Sequence, residues 1–404
     1  MDSRFANIPV VPFVLEKSRI ETMNDFQNKF IPEKKYMKLA IYLALKAGGY
    51  THPNPLVGAV IVKDGKIIGQ GFHTKFGELH AEREALKSLS EPAIGATMYV
   101  TLEPCCHYGK TPPCTEAIIE NQLSRVVIGS RDPNPIVAGK GAKALRDSGI
   151  EVIEDFMRDE CDAINQIFLH YIRNKRPYVT LKYAMTIDGK IATFSGKSKW
   201  ITSEEARKHT HLNRGKNMAI MVGIGTVLSD NPSLTCRYGD GLNPVRIICD
   251  TNLKVPLDAE VVTSCSELKE NDRLPRTIVA TASSDAQKIS SLKALGIEVL
   301  NVNKDESGYL NLRSLMNKIG ELGIDSLILE GGGTLAWSAV QSGIVDKVQA
   351  YVAPKIFGGA SAKSPVEGKG FMNPDMALKL ENTYISQIDD DFLLEGEVIN
   401  CSQE

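Results

Sequence analysis

The sequence is poor in cysteine, has no long apolar run and carries no excess of basic residues. Its 8 cysteines in 404 residues are too few for a disulfide scaffold, and thiols clustered in a reducing cytoplasm indicate metal binding or catalysis. No apolar run approaches the roughly 18 residues of a membrane span. The formal net charge of -2 lacks the basic surplus of a nucleic-acid binder. We therefore expect a cytoplasmic protein without a membrane or nucleic-acid partner, acting on a small or acidic molecule.

The chain length predicts two domains, because 404 residues exceed the size of one ordinary core. Residues 1–34 are predicted to be a loosely ordered N-terminal extension. Its apolar stretch FANIPVVPFVL is broken by Pro9 and Pro12 and lacks a basic flank and a cleavage-site pattern, so we do not expect a signal peptide. The polar stretch RNKRP near Arg176 marks the predicted boundary between domains of residues 35–176 and 177–404.

Hydrophobic periodicity predicts an α/β structure in both domains. In the first, a helix precedes a β-hairpin that turns at DG, and helices then alternate with strands, which predicts a mixed sheet flanked by helices. Thr111 and Pro112 are predicted as the N-cap and first residue of a helix that contains Cys114. Residues 157–172 are predicted as one helix. In the second domain, strands and helices alternate up to a strand over residues 347–354.

The stretch PCCHYGKTPPC, residues 104–114, contains three of the cysteines. His80, Cys105 and Cys114 together offer the imidazole and thiolate ligands that suit zinc, with a fourth position left for water as in catalytic sites. Glu82 is then the general acid/base that moves protons between that water and the leaving group. Because His80 and Glu82 do not share a helix face, the metal is expected over the helix N-terminus, which both side chains reach.

Two other interpretations apply to the same residues. They form a structural zinc site if Cys106 or His107 supplies a fourth ligand, or they are an ordinary core histidine and incidental cysteines. Glu82 argues against a purely structural metal, because the carboxylate of such a motif is not a metal ligand. We therefore favour the catalytic site, with Cys106 and His107 as neighbours that do not contact the metal.

A glycine-rich turn, residues 330–336, follows the predicted strand SLILE and opens a helix. Its pattern G-x-G-x-x-A allows backbone amides at a helix N-terminus to bind phosphate. The turn lies late in the domain and no acidic residue follows about 20 positions on, so a standard dinucleotide-binding half is not indicated. The pattern of this turn alone does not distinguish a phosphate-binding site from an ordinary connection between a strand and a helix.

The zinc motif resembles that of the cytidine deaminase-like fold, most of which closes with Pro-Cys-x-x-Cys. With its longer gap, TLEPCCHYGKTPPC is similar, together with THPNPLVGAVIV and SRDPNPIVAGKG, to the deaminase half of the bifunctional riboflavin biosynthesis deaminase/reductases. The stretches LKYAMTIDGKIAT, SKWITS, LNRGKNMAIMVGIGTVLSDNPSLTCR and LILEGGGTLA resemble the reductase half. The resemblance implies a cytidine deaminase-like mixed-sheet domain, a dihydrofolate reductase-like α/β domain, one zinc ion per chain and NADPH.

The resemblance also implies two reactions. The first is hydrolytic deamination of 2,5-diamino-6-(5-phosphoribosylamino)pyrimidin-4-one, in which Glu82 protonates the ring nitrogen and the leaving amine. The second is NADPH-dependent reduction of the ribosyl group, which gives 5-amino-6-(5-phosphoribitylamino)uracil. Family members are homo-oligomers, so we expect a dimer or tetramer. The alternative function is a deaminase of nucleosides, nucleotides or nucleic acid with an accessory domain.

The family's binding residues carry over position by position. Contacts with the deaminase substrate fall on Asn54, His73, Lys110, Asp132 and Asn134. Contacts with NADPH fall on Ala184, Trp200, Thr226, Asp230, Gly332, Gly333, Thr334, Leu335, Ala336, Trp337 and Ser338. Contacts with the reductase substrate fall on Lys182, Ser198, Arg214, Leu234, Arg237 and Glu330.

Several of these side chains suit their implied roles. Lys110 offers a point charge to phosphate, and the forked guanidinium groups of Arg214 and Arg237 suit the 5′-phosphate at the second site. Trp200 presents a flat face to a cofactor ring, and Glu330 is placed to orient the ribose or relay a proton. Ordinary structural interpretations also apply: a solvated loop lysine, a core tryptophan and a carboxylate at a helix start.

Overall fold

The computed structural model describes residues 30–109, 112–134, 137–238, 242–264 and 276–399. Most of the predicted N-terminal extension, Lys110 and Thr111 therefore lie outside the described residues. The described end of the extension packs on the first domain. The guanidinium of Arg125 lies 3.6 Å from the centre of the Phe30 ring, and the Glu33 N–H donates to the Tyr99 hydroxyl at 3.1 Å.

Helices and strands alternate in the first half of the chain. Among the described residues, the helices are α1 (Lys34–Leu45), α2 (Ala81–Lys87), α3 (Cys114–Glu120), α4 (Lys140–Asp147), α5 (Arg158–Ala163) and α6 (Gln166–Asn174), with a short 3₁₀ helix at Gly48–Thr51. The strands are β1 (Gly58–Lys63), β2 (Lys66–Phe72), β3 (Thr97–Leu102), β4 (Arg125–Ser130) and β5 (Glu151–Ile153).

These strands form one mixed sheet in the order β2-β1-β3-β4-β5. β1 runs antiparallel to β2 and β3, and the other neighbours are parallel. Apolar helix residues pack on both faces, with Met37 of α1 on one side and Ala85 of α2 on the other. Gly71 of β2 lets α2 approach closely, because a Cβ there would collide with the Ala85 backbone nitrogen. This packing seats α2, which carries the zinc motif, against the sheet.

The second half is also α/β. Among the described residues, its strands are β6 (Tyr178–Thr186), β7 (Ala219–Gly223), β8 (Val245–Cys249), β9 (Thr277–Thr281), β10 (Glu298–Asn301), β11 (Ser326–Glu330), β12 (Lys347–Ala353), β13 (Leu380–Ile388) and β14 (Asp391–Val398). Its helices are α7 (Glu204–Gly215), α8 (Ile224–Asp230), α9 (Glu260–Thr263), α10 (Ala286–Ala294), α11 (Leu312–Glu321) and α12 (Gly333–Ser342), with a 3₁₀ helix at Pro374–Met376.

The second sheet has the strand order β10-β9-β8-β7-β11-β6-β12-β14-β13. Neighbouring strands from β10 to β12 are parallel, and β14 pairs antiparallel with both β12 and β13. Apolar clusters cover both faces of the parallel part. The carboxyl ends of β6, β7, β8 and β11 therefore meet at one edge, which is where ligands bind to open parallel sheets.

The predicted α/β class, with a mixed sheet in the first half and a second α/β half, is confirmed. One predicted helix start is wrong. α3 begins at Cys114, with Pro113 in the N-cap position, so Pro112 precedes the helix instead of opening it. The two prolines, which lack backbone donors, keep the chain extended up to the thiol. In the parts of the chain that the structure describes, no helix has the length and apolarity needed to cross a membrane.

Two further details differ from the sequence prediction. Residues 157–172 form two helices instead of one, because Asn165 lies between α5 and α6 and binds the backbone N–H and carbonyl of Leu56 with its side chain. The strands β13 and β14 were not predicted. Most side chains of β13 are exposed, so the strand lacks the apolar alternation that identifies a half-buried strand.

The two halves of the chain contact each other through several polar pairs. Side chains of the first half reach strands or helix ends of the second, pairing His52 with Asp325, Tyr171 with Gly320 and Gln166 with Glu397.

Candidate active sites

Three elements of the first half bring the predicted metal ligands together. His80 is the N-cap residue of α2, Cys105 follows the end of β3, and Cys114 is the first residue of α3. The Sγ atoms of Cys105 and Cys114 lie 3.5 and 3.4 Å from His80 Nδ1. All three ligand atoms lie within 4.8 Å of one another. The geometry thus places two helix N-termini, whose dipoles favour thiolate, at the cluster.

The cluster has the spacing of a tetrahedral zinc site. Zinc–nitrogen bonds of about 2.0 Å and zinc–sulfur bonds of about 2.3 Å place tetrahedral nitrogen and sulfur ligands about 3.5 Å apart. The two measured N···S distances match this value. Cys106 and His107 are not part of the cluster. The donor set therefore fits an ion with three protein ligands, as in catalytic zinc sites.

The environment of the cluster shifts the pKa values of its two thiols in opposite directions. A hydrogen bond from Cys114 lowers the pKa of Cys105 to about 4, and the same bond together with burial raises the pKa of Cys114. The contact with Cys105 also raises the pKa of His80, against the effect of burial. Zinc binds thiols in their deprotonated form, so a bound zinc ion would displace protons from Cys105 and Cys114.

Glu82 lies inside the same site, with 3% of its surface exposed. Burial and the negative charge of Cys105 raise the pKa of its carboxyl group to about 7. A carboxyl group with such a pKa exchanges protons readily at neutral pH, which suits a general acid/base. Glu82 borders a cavity of about 300 Å³ together with His80 and Cys105.

Every predicted deaminase substrate residue that the structure describes lines this cavity, namely Asn54, His73, Asp132 and Asn134. The His73 Nδ1–H donates to the Leu79 carbonyl at 3.0 Å, and Nε2 then accepts from the Asn54 amide at 3.1 Å. Burial lowers the pKa of His73 and raises that of Asp132 to about 6. The cavity wall therefore combines a neutral imidazole, two amides and a half-buried carboxyl group, which suit a polar heterocycle.

A larger cavity of about 730 Å³ opens at the carboxyl edge of the second sheet. Predicted residues that line it include Lys182 and Ala184 of β6, Ser198 of the loop between β6 and α7, and Thr226 and Asp230 of α8. Predicted residues of the glycine turn and α12 also line it: Glu330, Gly332, Gly333, Thr334, Leu335 and Ser338. The structure thus brings residues of four separate sequence segments to one site.

The glycine turn packs so closely against its neighbours that side chains do not fit at two of its positions. Gly331 has φ of 116°, and a Cβ at this position would lie 2.7 Å from Thr226 Oγ1. A Cβ on Gly333 would lie 2.8 Å from the Ser364 carbonyl oxygen. The turn borders the cavity, and the N-cap Gly332 and first residue Gly333 of α12 have no side chain that could cover the helix N-terminus, where anions bind.

The charge of Glu330 is balanced within the site. Arg214 Nε and Nη2 each donate to one Glu330 carboxylate oxygen at 2.8 Å, and Lys182 Nζ lies 3.8 Å from the carboxylate. Burial opposes the charge of Glu330, but the two cations outweigh it and lower the pKa of Glu330 to about 2. Burial lowers the pKa of Lys182, and Glu330 counteracts this. Glu330 is thus an ionised acceptor at neutral pH.

Comparison with known proteins identifies both halves. Residues 31–130 match the family model "Cytidine and deoxycytidylate deaminase zinc-binding region", and residues 177–394 match "RibD C-terminal domain". The riboflavin biosynthesis protein RibD of Actinobacillus pleuropneumoniae is 50% identical over 388 residues, which cover 96% of this chain and 99% of that protein. The chain belongs to the RibD family. It is therefore a bifunctional riboflavin biosynthesis enzyme with a deaminase and a reductase domain.

Solved RibD structures have the same fold. The structure of Acinetobacter baumannii RibD, form 2, has a TM-score of 0.79 and 35% identity, and the match covers 90% of this chain and 98% of that chain. A Thermotoga maritima protein described as a diaminohydroxyphosphoribosylaminopyrimidine deaminase/5-amino-6-(5-phosphoribosylamino)uracil reductase has a TM-score of 0.76 and 41% identity, with the same coverage. The likeness spans both domains, so the order of the two sites along the chain is that of the RibD family.

Some residues predicted from the RibD resemblance do not line the reductase cavity. Ala336 faces the apolar core with 1% exposure, and Trp337 packs edge to face on Phe371 with the ring centres 5.2 Å apart. Both lie on α12, where residues that follow one another point in different directions, so a continuous stretch cannot line one cavity. Trp200 is 60% exposed and its ring is covered by the guanidinium of Arg207 at 4.4 Å.

Three predicted substrate residues are not among those that line the cavity. Arg214 donates to both carboxylate oxygens of Glu330, as described above, and its assignment to the substrate phosphate stays a prediction. Leu234 is buried with φ of 55°. Arg237 contacts His211 twice: its Nη2 lies 3.2 Å from Nε2, and its backbone N–H donates to Nδ1 at 3.3 Å. Of the two predicted phosphate-binding arginines, Arg237 is thus the one without a carboxylate partner among the described residues.

Sequence reasoning missed several residues that line the two RibD-family cavities. His107 borders the deaminase cavity, and its Nδ1 is buried without a hydrogen-bond partner among the described residues. Asp250, Thr251 and Lys254 border the reductase cavity just after β8. Their position at the carboxyl end of a parallel strand was the available signal, since that edge is where ligands bind.

Proposed function

We propose that this chain deaminates 2,5-diamino-6-(5-phosphoribosylamino)pyrimidin-4-one and then reduces the ribosyl group with NADPH to give 5-amino-6-(5-phosphoribitylamino)uracil. The observation that carries the proposal is the three-ligand cluster with the buried Glu82 at one cavity and the glycine turn at another. The printed description of the Thermotoga maritima relative, which has both activities, supports it. Family membership over nearly the whole chain disfavours a nucleoside or nucleic-acid deaminase with an accessory domain.

At the deaminase site, His80, Cys105 and Cys114 would hold the zinc ion. Bound there, zinc supplies a Lewis acid that makes water nucleophilic at neutral pH. Glu82 accepts a proton from the attacking water and delivers protons to the ring nitrogen and to the departing amine, which leaves as ammonia. The neutral His73 and the amide of Asn54 orient the substrate, and Asp132 and Asn134 bind its polar edge.

At the reductase site, the glycine turn and the start of α12 would bind the cofactor's phosphates. NADPH supplies the hydride that converts the ribosyl carbon to the ribityl chain. Lys182 lies beside Glu330. Its ammonium group stabilises the negative charge that develops on the sugar oxygen, or donates a proton to that oxygen. Glu330 acts as an ionised acceptor that orients Lys182 and the ribose hydroxyls.

We further propose a homo-oligomer, a dimer or tetramer, located in the cytoplasm. Tyr384 and Ile385 of β13 are each more than 60% exposed, and Phe392 of β14 is 43% exposed. These side chains lie on the strands that end the second sheet, and an apolar edge of this kind favours association with another copy.

The proposal is tested by incubating the purified chain with the diaminopyrimidine phosphate, with and without NADPH. We expect ammonia release both with and without NADPH. NADPH should be oxidised only after deaminated product has formed or has been added. A strong zinc chelator should stop ammonia release but leave reduction of added deaminated product intact. Deamination of cytidine or deoxycytidylate, with none of the diaminopyrimidine, would favour the alternative function.

Removal of the Arg237 side chain should raise the reductase KM by about tenfold or more, because hydrogen bonds to a charged phosphate contribute about 1.5 to 3 kcal/mol. The variant Arg237→Ala should retain its deaminase rate. Arg313→Ala is the control, since the Arg313 guanidinium bonds the Ser342 carbonyl at the C-terminal end of α12, opposite the glycine turn that opens this helix. An unchanged reductase KM in Arg237→Ala would contradict the phosphate role.

A further inference from the structure

The loop of residues 47–55 presents Asn54 to the deaminase cavity. Within this loop the Asn54 N–H donates to the Thr51 carbonyl at 2.7 Å, and the Tyr50 carbonyl accepts from the N–H of Phe76, which also lines the cavity. At the end of the loop, the Asn165 side chain binds the backbone of Leu56 at 2.8 and 2.9 Å. One end of the loop is thus held by the deaminase domain itself.

The other side of the loop rests on the reductase domain. His52 Nδ1 lies 2.7 Å from Asp325 Oδ2, and its Nε2 lies 2.9 Å from the Lys216 carbonyl oxygen. The backbone of Gly49 touches the end of α7 so closely that a Cβ there would collide with the Gly215 carbonyl. Two positions of the loop therefore take their support from the other domain, 2 and 5 residues before Asn54 in the sequence.

The support at Asp325 is rigid. Its side chain is 1% exposed and that of His52 is 10% exposed. The second carboxylate oxygen of Asp325 accepts from the Ser326 hydroxyl at 2.7 Å, and the Ser326 oxygen accepts from the Met218 N–H at 2.9 Å. The carboxylate is thus fixed from behind by the starts of β7 and β11, and a buried charge-assisted hydrogen bond to it is strong and directional.

We propose that Asp325, a residue of the reductase domain, is a positioning residue for the deaminase site. Acting through His52, it holds the loop that aims the Asn54 amide at the substrate and at His73. The proposal rests on the proposed function, because it takes Asn54 to be a substrate ligand. Deamination by this chain accordingly depends on a contact from the domain that performs the second reaction.

The expected effect falls on substrate binding. Asp325 and His52 do not line the deaminase cavity and do not contact the metal ligands among the described residues. Loss of their contact leaves Glu82 and the zinc cluster in place but allows the Asn54 loop to move away from its binding position. We therefore expect a deaminase KM raised about tenfold, with kcat within about threefold of the parent, since misplacement of a positioning group weakens productive binding.

The experiment compares His52→Ala, Asp325→Asn and the double variant in the full-length zinc-loaded chain. Each is assayed for kcat and KM of diaminopyrimidine deamination, for kcat and KM of reduction of the deaminated product, for bound zinc and for thermal melting. Both single variants should raise the deaminase KM, and the double variant should raise it no further than His52→Ala, because each single variant already disrupts the contact between His52 and Asp325. Reductase constants should remain within twofold of the parent.

Tyr171→Phe is the matched control. It removes another hydrogen bond between the domains, from the Tyr171 hydroxyl to the Gly320 carbonyl at 2.9 Å, at a place that does not lead to the Asn54 loop. Its deaminase KM should be unchanged. A KM raised equally in Tyr171→Phe would show general loosening of the domains and overturn the proposal, as would an unchanged KM in His52→Ala. Failure of the parent chain to deaminate the diaminopyrimidine would instead overturn the proposed function.

Discussion

Glu82→Gln should lower the deaminase kcat by about 10³-fold or more, since proton transfer by a positioned group contributes on that scale. The amide matches the carboxylate in shape but neither accepts the proton of the attacking water nor delivers one to the leaving amine. Because His80, Cys105 and Cys114 are untouched, bound zinc should stay at one ion per chain. Reduction of added deaminated product should continue at the parent rate. Ammonia release, metal analysis and NADPH oxidation measure the three quantities.

Glu84→Gln is the control for this change. Glu84 lies in the first turn of the same helix but does not border the deaminase cavity, so its variant should deaminate normally. Deamination that persists in Glu82→Gln at more than a tenth of the parent rate would contradict the assigned role. Loss of zinc from Glu82→Gln would show that the carboxylate serves the metal site itself.

Glu330→Gln should disable the reductase domain and destabilise it. The variant removes the negative charge that both Arg214 and Lys182 face, and it leaves two buried cations without a counter-charge. We expect the reductase kcat/KM to fall by about 10²-fold or more, because a preorganised charge at the reacting sugar is lost. The lowered pKa of Glu330, about 2 against an ordinary 4.5, corresponds to a loss of about 3 kcal/mol of stability at neutral pH.

The buried ion pair between Glu330 and Arg214 predicts that the stability of the protein depends on pH. A carboxylate with a lowered pKa in the folded state stabilises the fold above its ordinary pKa of 4.5, and this contribution is lost as the pH falls towards 2. The parent should therefore lose more stability than Glu330→Gln between pH 4.5 and 2. Denaturant unfolding of both proteins at several pH values measures the difference. Parallel pH profiles would contradict the charge assignment.

Glu298→Gln is the control for this substitution. Glu298 also pairs with two nitrogens of an arginine, Arg276, but both side chains are more than a third exposed. Exposed pairs contribute about 1 kcal/mol or less, so the variant should remain nearly as stable as the parent and fully active in both reactions. Equal destabilisation of the two variants would show that burial of Glu330 is not the cause.

The sequence was sufficient wherever the chemistry of a site lies in short stretches. His80 and Glu82 lie two residues apart at a helix start, and Cys105 and Cys114 belong to one stretch of eleven residues, so residue types and spacing were enough to predict the cluster that the fold brings together. The glycine turn was visible for the same reason. Hydrophobic periodicity located most strands and helices, since their buried faces leave a regular pattern. It did not reveal β13, which exposes most of its side chains.

Only the tertiary structure decided which distant side chains meet. Arg214 and Glu330 are separated by 116 positions and His52 and Asp325 by 273, so no local pattern links them. Resemblance assigned Arg214 to a phosphate, and only the folded chain shows that its guanidinium pairs with the buried carboxylate of Glu330. The motif determined what each site contains, because ligand chemistry depends on residue type. The fold determined which groups remain open to a substrate, because charge pairing and support between domains depend on where strands from separate parts of the chain end.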